Sequence, residues 1–395
     1  EFDGDIRSQV AANHVCSQKI IEMMEDEGLS TLDDLADEII DRTEISMRAA
    51  IEKIKDGTYA HEGIIEGAGS KPDIPIKLSV KVDGSKIHVD FDGTSKQVDW
   101  GVNVVYNFTY AYVFMAIKSA FDPGVPINEG AIRPITMTAP KGSIVNCKFP
   151  AAVAARMVVG HFMTEMVFKA LAKAAPDNII AGSGGTPAQT NIFHGSFANG
   201  KPWHTMIIRG GGMGASSKFD GHHCAIFPAN GANTPVEILE SDTTMIVESR
   251  GLVQDSGGPG KQRGGIGRQM IIRSPEDGEN SPGTTSIAVQ AGRYIYPPEG
   301  IFGGKDGSLA QYLKNGENAD PSGLTFMEPG DRVSFVSAGG GGYGDPFERE
   351  AKAVERDVQY GYVSIEKAKK DYGVIIDPVS LKVDLDATKT LREEK

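Results

Sequence analysis

Asp255-Ser256-Gly257-Gly258-Pro259-Gly260-Lys261-Gln262-Arg263-Gly264-Gly265-Ile266-Gly267 places six glycines in thirteen residues. Three further stretches of the second half are as dense: Gly182-Ser183-Gly184-Gly185, Arg209-Gly210-Gly211-Gly212-Met213-Gly214-Ala215 and Ala338-Gly339-Gly340-Gly341-Gly342-Tyr343-Gly344-Asp345-Pro346. Glycine loses more backbone freedom on folding than any other residue. A chain that gathers it beside arginines and aspartates needs unusual dihedrals there, or backbone brought very close to something. The four stretches are expected to be either tight corners of a β-rich core or the walls of a site.

Around them the hydrophobic pattern divides the chain. Residues 5–55 carry helical spacing: Ile6, Val10, Ala11, Val15, Ile20 and Met23 make a stripe that ends at Glu27-Gly28. A second helix follows Ser30-Thr31 with Leu32, Leu35 and Ile39-Ile40, and a third spans Ile45 to Ile54. From Ile74 to Trp100 the pattern alternates. Ile76, Leu78, Val80 and Val82 share a face, and Asp83-Gly84 turns the chain into Ile87, Val89 and Phe91, a hairpin. Helices are predicted over Val105–Phe121 and Val153–Ala174, before short strands at Thr205–Ile208, Val236–Leu239, Met270–Ile272, Thr284–Gln290 and Arg332–Ser337. Glu350–Gln359 and Ser364–Tyr372 return to helix, and the last residues read as a frayed charged tail.

The fold class is therefore α+β: N-terminal helices and a β-hairpin, central helices, then a glycine-rich β-dominated region with C-terminal helices. Three units are expected: 1–180, helical with the hairpin; 181–348, glycine-rich and β-rich; and 349–395, helices and tail.

Glycine makes up 48 of 395 residues, about 12% against an ordinary ~7%, with no collagen-type period. A net charge of −13 argues against a nucleic-acid or anionic-membrane partner, since either requires a basic face. The three scattered cysteines make no disulfide framework, and a reducing cytoplasm is the natural setting. Val102–Phe121, the most apolar stretch, is interrupted by Asn103, Asn107 and Lys118 and is too polar to span a membrane. The chain opens on Glu-Phe-Asp-Gly and enters a helix at once, which points to an N-terminus lying further upstream.

No glycine stretch is a phosphate loop of the G-x-x-x-x-G-K-[ST] kind, because Gly260-Lys261 and Gly304-Lys305 are followed by Gln262 and Asp306. His222-His223-Cys224 is the one cluster of metal-ligand types. On a strand only His222 and Cys224 share a face, short of the three or four ligands zinc needs, so a packed histidine is the ordinary reading. His161 follows Arg156 by five residues on an apolar helix, an offset that does not pair them. Asp255, Arg263 and Arg268 lie in and just after the third glycine stretch. Arginine beside backbone amides suits a carboxylate or phosphate, and an ion pair fixing the loop fits equally well.

Taken together, the motifs resemble the hydantoinase B/oxoprolinase family. They run in order: Gly4-Asp5-Ile6-Arg7-Ser8-Gln9, Asp56-Gly57-Thr58-Tyr59, Asn128-Glu129-Gly130 with Arg133-Pro134, and Arg156 with Gly160-His161. Gly211–Ala215, Asn233-Thr234-Pro235-Val236-Glu237, the 255–267 stretch, Gly303-Gly304-Lys305 and the 339–346 stretch complete the set. The resemblance implies a B-type component of an ATP-dependent enzyme acting on a small molecule. An A-type partner binds ATP and phosphorylates a substrate carbonyl, and the B-type component completes the reaction. For hydantoin, 5-oxoproline or a lactam completion is ring hydrolysis; for ketone relatives it is carboxylation. A non-catalytic assembly role is the third reading.

The resemblance also implies site residues and a divalent metal. Asn128, Arg156 and His161 would orient substrate or a metal-bound water, with Asp220 and His222 behind them. Arg209 and Arg263, with Gly211, Gly212, Gly264 and Gly265, would bind the phosphorylated oxygen. The family's main metal ligands belong to a portion preceding the Gly4–Gln9 motif, so His222 is the one candidate ligand here, and the chain alone is expected to be inactive.

Overall fold

The computed structural model describes residues 2–67, 69, 71–276, 285–290 and 292–394. The chain opens with α1 (Phe2–Asp26), ended at Gly28 where φ is +67°. The predicted stripe is on this helix, but none of its residues is buried, and Val10 remains 65% exposed. The second and third predicted helices are one, α2 (Asp33–Ile51). Nothing in Asp41-Arg42-Thr43-Glu44 breaks a helix, and the pairs Arg42–Glu38 and Arg48–Glu44 brace that junction at i,i+4 spacing.

The predicted hairpin forms as β2 (Ile74–Asp83) and β3 (Lys86–Asp90), with Gly84 at φ +56° in its turn. Its outer neighbour β1 (Gly57–Ile65) is not among the predicted strands, because its more buried positions Gly57, Tyr59, His61 and Gly63 carry no aliphatic side chain to set against exposed Thr58, Ala60 and Glu62. β4 (Ile135–Thr138) adds in parallel on β3, giving the order β1-β2-β3-β4. Two helices cover this sheet: α3 (Tyr106–Phe121) and, after the one-turn α4 (Glu129–Ile132), α5 (Met157–Leu171). Ile76, Leu78, Val80 and Val89 pack with Val113 and Ile117 of α3 and with Val159, Met163 and Met166 of α5.

Two antiparallel sheets form the next layer. β5 (Thr190–Ser196), β6 (Pro202–Ile208), β9 (Thr285–Gln290) and β12 (Leu324–Met327) stand in the order β12-β9-β5-β6. Facing them, β7 (Ile246–Leu252), β8 (Arg268–Arg273), β10 (Gln311–Lys314), β11 (Glu317–Asn318) and β13 (Arg332–Val336) stand in the order β11-β10-β13-β8-β7. Phe193, Trp203 and Ile287 meet Met270, Tyr312 and Phe335 in one buried cluster, with the Phe193 and Phe335 rings 6.1 Å apart. Thr284, at the start of one predicted strand, lies outside the described residues. Val236–Leu239 is not a strand but opens α6 (Val236–Asp242): four residues are too few for a period, and Pro235 with Glu237 suits a helix start.

The glycine stretches are neither corners nor open walls. They stack on one another, backbone against backbone. Gly184 donates to Gly212 at 2.7 Å, Gly212 to Ala338 at 2.9 Å, Gly340 to Gly265 at 2.9 Å, and Gly341 to Gly182 at 2.8 Å. A Cβ on Gly212, Gly264 or Gly340 would collide with the carbonyl oxygen of Gly265, Gly340 or Met213 respectively. No side chain fits between the segments, which is why glycine is required there.

α7 (Ala351–Gln359) and α8 (Ile365–Tyr372) bury Val354, Val358, Ala368 and Tyr372 in a third cluster. The tail is not frayed. Asp384 caps α9 (Leu385–Glu393) through the Ala387 amide, and Arg392 donates to the carbonyls of Tyr372 and Arg349.

Candidate functional site

α5 is buried along nearly its whole length and positions most of the chemistry. At its N-terminal end the exposed Arg156 guanidinium lies 5.3 Å over the Phe108 ring and donates at 3.4 Å to the Val153 carbonyl. The neighbouring Ala155 and Val158 line a cavity of about 160 Å³ together with Glu66, Lys71, Trp100 and Gln290. Lys71 Nζ stands 5.4 Å over the Trp100 ring. Asn103 fixes this wall: its amide donates to the carbonyls of Val98, Trp100 and Ala152, each at 2.9 Å. Glu66 accepts the N–H groups of Tyr294 and Ile295 at 2.7 and 2.8 Å, tying the cavity to the sandwich. The cavity wall offers an aromatic ring and a cation, which suits a small polar or anionic ring compound, while Arg156 itself lies just outside the lining.

His161 sits one turn along α5, 2% exposed, with both ring nitrogens unpartnered and the Tyr112 ring 5.3 Å away. Burial pushes its pKa down to about 4, so the ring is neutral at pH 7. No hydrogen bond joins it to Arg156. Glu165, one turn further, is not among the residues singled out from the sequence, although a lone carboxylate in an apolar helix is an available signal. It accepts Thr186 Oγ1 at 2.7 Å, pairs with Lys169 at 2.9 Å and is gripped by Arg293. Burial alone would raise its pKa; the charges of Arg293 and Lys169 hold it well below the usual carboxylate range.

The other predicted residues lie elsewhere. Asn128 caps α4, accepting from Gly130 N at 2.9 Å and donating to Thr43 Oγ1 at 3.0 Å. Asp220 and Arg263 belong to a quartet with Arg349 and Asp357: Arg349 holds both Asp220 oxygens at 2.7 Å, and Arg263 Nε reaches Asp357 at 3.2 Å. The quartet is charge-balanced and anchors α7 beneath the glycine layer. Burial would raise the Asp220 pKa, but Arg349 lowers it. The amides of Gly212, Gly264 and Gly265 donate to Ala338, Gly258 and Met213, and Gly211 bridges Ala225, so the glycine amides expected to serve as anion donors are engaged inside the layer. Arg209 is 2% exposed inside the sandwich, away from the α5 cavity.

His222 is exposed, whereas His223 Nδ1 accepts the Ile266 amide at 3.0 Å. Among the described residues no group of three His, Cys, Asp or Glu side chains could hold a metal ion, so these residues do not fit the expected metal. No described helix is long and apolar enough to cross a membrane.

A helix-covered four-stranded sheet, a β-sandwich and a stacked glycine layer define an α+β architecture that solved structures share. The ATP-dependent caprolactamase from Pseudomonas jessenii superposes with a TM-score of 0.86 at 26% identity, covering 99% of this chain and 69% of that one. Nucleotide-free acetone carboxylase superposes at 0.84 with 18% identity, covering 99% and 59%, a likeness of fold alone. The B-type polypeptide of a putative D-/L-hydantoinase from Pseudomonas sp. (strain NS671) is 35% identical over 99% of this chain and 67% of its own length. The chain thus spans about two thirds of the length of that relative. The hydantoinase B/oxoprolinase model matches residues 1–346, and the chain belongs to that family.

Proposed function

We propose that the chain is part of the B-type component of an ATP-dependent cyclic-amide hydrolase, opening a hydantoin, 5-oxoproline or lactam ring after an A-type partner has phosphorylated the carbonyl. The observation that carries this reading is the family match over residues 1–346, joined to likeness with a caprolactamase across 99% of the chain. ATP binds to the partner on this reading. The divalent metal needs ligands other than the described residues, so no step is assigned to it.

Within the chain, Arg156 and Lys71 with the Trp100 face receive the ring and its developing negative charge. His161 supplies a neutral imidazole behind Arg156. Asn128 and Asp220 act by holding α4 and α7 in place. Phosphorylating an amide oxygen makes it a leaving group, and a cation at the cavity rim favours the charged product. On this reading the enzyme works in a reducing cytoplasm, a setting in which three unpaired cysteines are at home.

The test is to co-express the chain, in its full reading frame, with an A-type partner and to assay ATP-dependent opening of hydantoin, 5-oxoproline and caprolactam. Turnover of one of them is expected, with none from the chain alone. Bicarbonate-dependent turnover of a ketone instead would replace the hydrolase with a carboxylase. Full activity after alanine substitution at both Arg156 and His161 would point to a non-catalytic assembly role.

A further inference from the structure

Five arginines of the β-rich half and its C-terminal helices are almost fully buried. Three are neutralised: Arg263 and Arg349 by Asp220 and Asp357, and Arg293 by Glu165. Arg209 and Arg268 have no carboxylate partner among the described residues. Both Nη atoms of Arg209 and Nη2 of Arg268 are buried without any hydrogen-bond partner.

The strand register sets Arg268 beside Ser337, and Arg209 lies close enough for its charge to act on Arg268. Arg268, Met270 and Ile272 alternate inward along β8. Phe335 on β13 lies opposite Met270, and the next inward residue, Ser337, donates its amide to the Arg268 carbonyl at 2.8 Å. The Arg209 guanidinium rests 5.1 Å over the Phe335 ring. Ser337 is fully buried and its hydroxyl is unpartnered as well. The groups already engaged are neutral: Arg268 Nη1 donates to Asn233, and Arg209 Nε to the Asn191 amide oxygen at 3.2 Å once that amide is turned to satisfy both its ends. Of the other nearby groups, Arg250 adds positive charge, and the Cys224 thiol, raised by burial, stays protonated.

A buried, unpaired charge is strongly unfavourable, and native structures pair it or supply a counter-ion. We propose that Arg209, Arg268 and Ser337 form an anion site inside the sandwich, occupied by a single inorganic ion of chloride size. Only 2% and 4% of the two arginines' surfaces are exposed, so they face the interior, a setting that suits a small inorganic ion rather than a substrate or an organic phosphate. The ion is structural and independent of the hydrolase reading, because both of its tests read something other than turnover.

The first test is the melting temperature of the full chain in sodium chloride against sodium gluconate at equal ionic strength. Chloride is expected to raise it in a saturable manner, and Arg209→Met to abolish that dependence. The second is bromide exchange in crystals, which should give an anomalous peak between the Arg209 and Arg268 guanidinium groups. Should R209M fail to fold, Ser337→Ala removes one donor and no charge, and is expected to weaken chloride binding severalfold. Equal melting temperatures in chloride and gluconate, or bromide crystals without that peak, would overturn the proposal.

Discussion

Arg349 holds Asp220 through both carboxylate oxygens, at 2.7 Å each, and reaches Asp357 with the same guanidinium at 2.7 Å. One residue from the start of the C-terminal helices thereby ties the loop between β6 and α6 to α7. Arg349 and Asp357 are each 2% exposed, so removing the arginine leaves two carboxylates facing Arg263 alone. Breaking a buried pair from one side costs about 3 kcal/mol or more. Arg349→Met is expected to lower urea-unfolding stability by that amount. Asp220→Asn made in the R349M background should cost much less than in the unaltered protein, and additive effects would show that the two do not act as a pair.

The glycine layer makes a sharper claim about backbone. Gly340→Ala would drive a methyl into the Met213 carbonyl oxygen, and neither side of that contact is a flexible side chain. A loss above about 4 kcal/mol, or no soluble protein, is the expected outcome. Gly251, on exposed β7, has nothing within 4 Å of its would-be Cβ. Gly251→Ala should be tolerated, with a melting temperature close to that of the parent. Comparable losses at the two positions would mean that the layer is not packed as described.

How much of this is legible in the sequence depends on whether a local period exists. The hairpin Ile76–Val82 into Ile87–Phe91 is readable because one face is buried and the other is not. The helix of α1 is readable too, but its burial is not: a stripe at Ile6, Val10 and Val15 predicts a helix and says nothing about what covers it. Val236–Leu239 is too short to discriminate. The final helix is hidden by its charge and rests on the distant contacts of Arg392. Site residues divide for the same reason. Arg156 and His161 adjoin one helix, whereas the partners of Asp220 and Arg263 lie 129 and 94 residues away, and no sequence spacing announces Arg349 or Asp357.

His161 gives a pH dependence with a definite sign. Its ring stays neutral in the folded protein down to about pH 4, against an ordinary value of 6.5. Between those values the unfolded chain binds the extra proton, so stability is full above about pH 6.5 and falls as the pH drops toward 4. The gap corresponds to roughly 3 kcal/mol. His161→Gln should shrink the difference in unfolding free energy between pH 7 and pH 4.5 by roughly 2 kcal/mol, with the His223 share of the acid sensitivity left in place. An unchanged difference would mean that the ring titrates normally.

The cavity beside α5 makes the functional prediction. Lys71 over Trp100 gives it a cation and an aromatic face, and Asn103 locks the Trp100 carbonyl, so the wall is preformed. A ring substrate lying against that wall gains contact equally in its ground and transition states. Losing the contact therefore raises KM and leaves kcat nearly unchanged. Trp100→Leu keeps an apolar group but removes the aromatic face, a loss of about 1 kcal/mol, or roughly fivefold in KM. Arg156→Ala differs: a charge that meets negative charge developing in the reaction acts on kcat, and roughly a hundredfold loss is expected. Steady-state kinetics of the reconstituted enzyme separate the two effects. If both variants retain parental kcat and KM, the substrate is bound elsewhere on the complex.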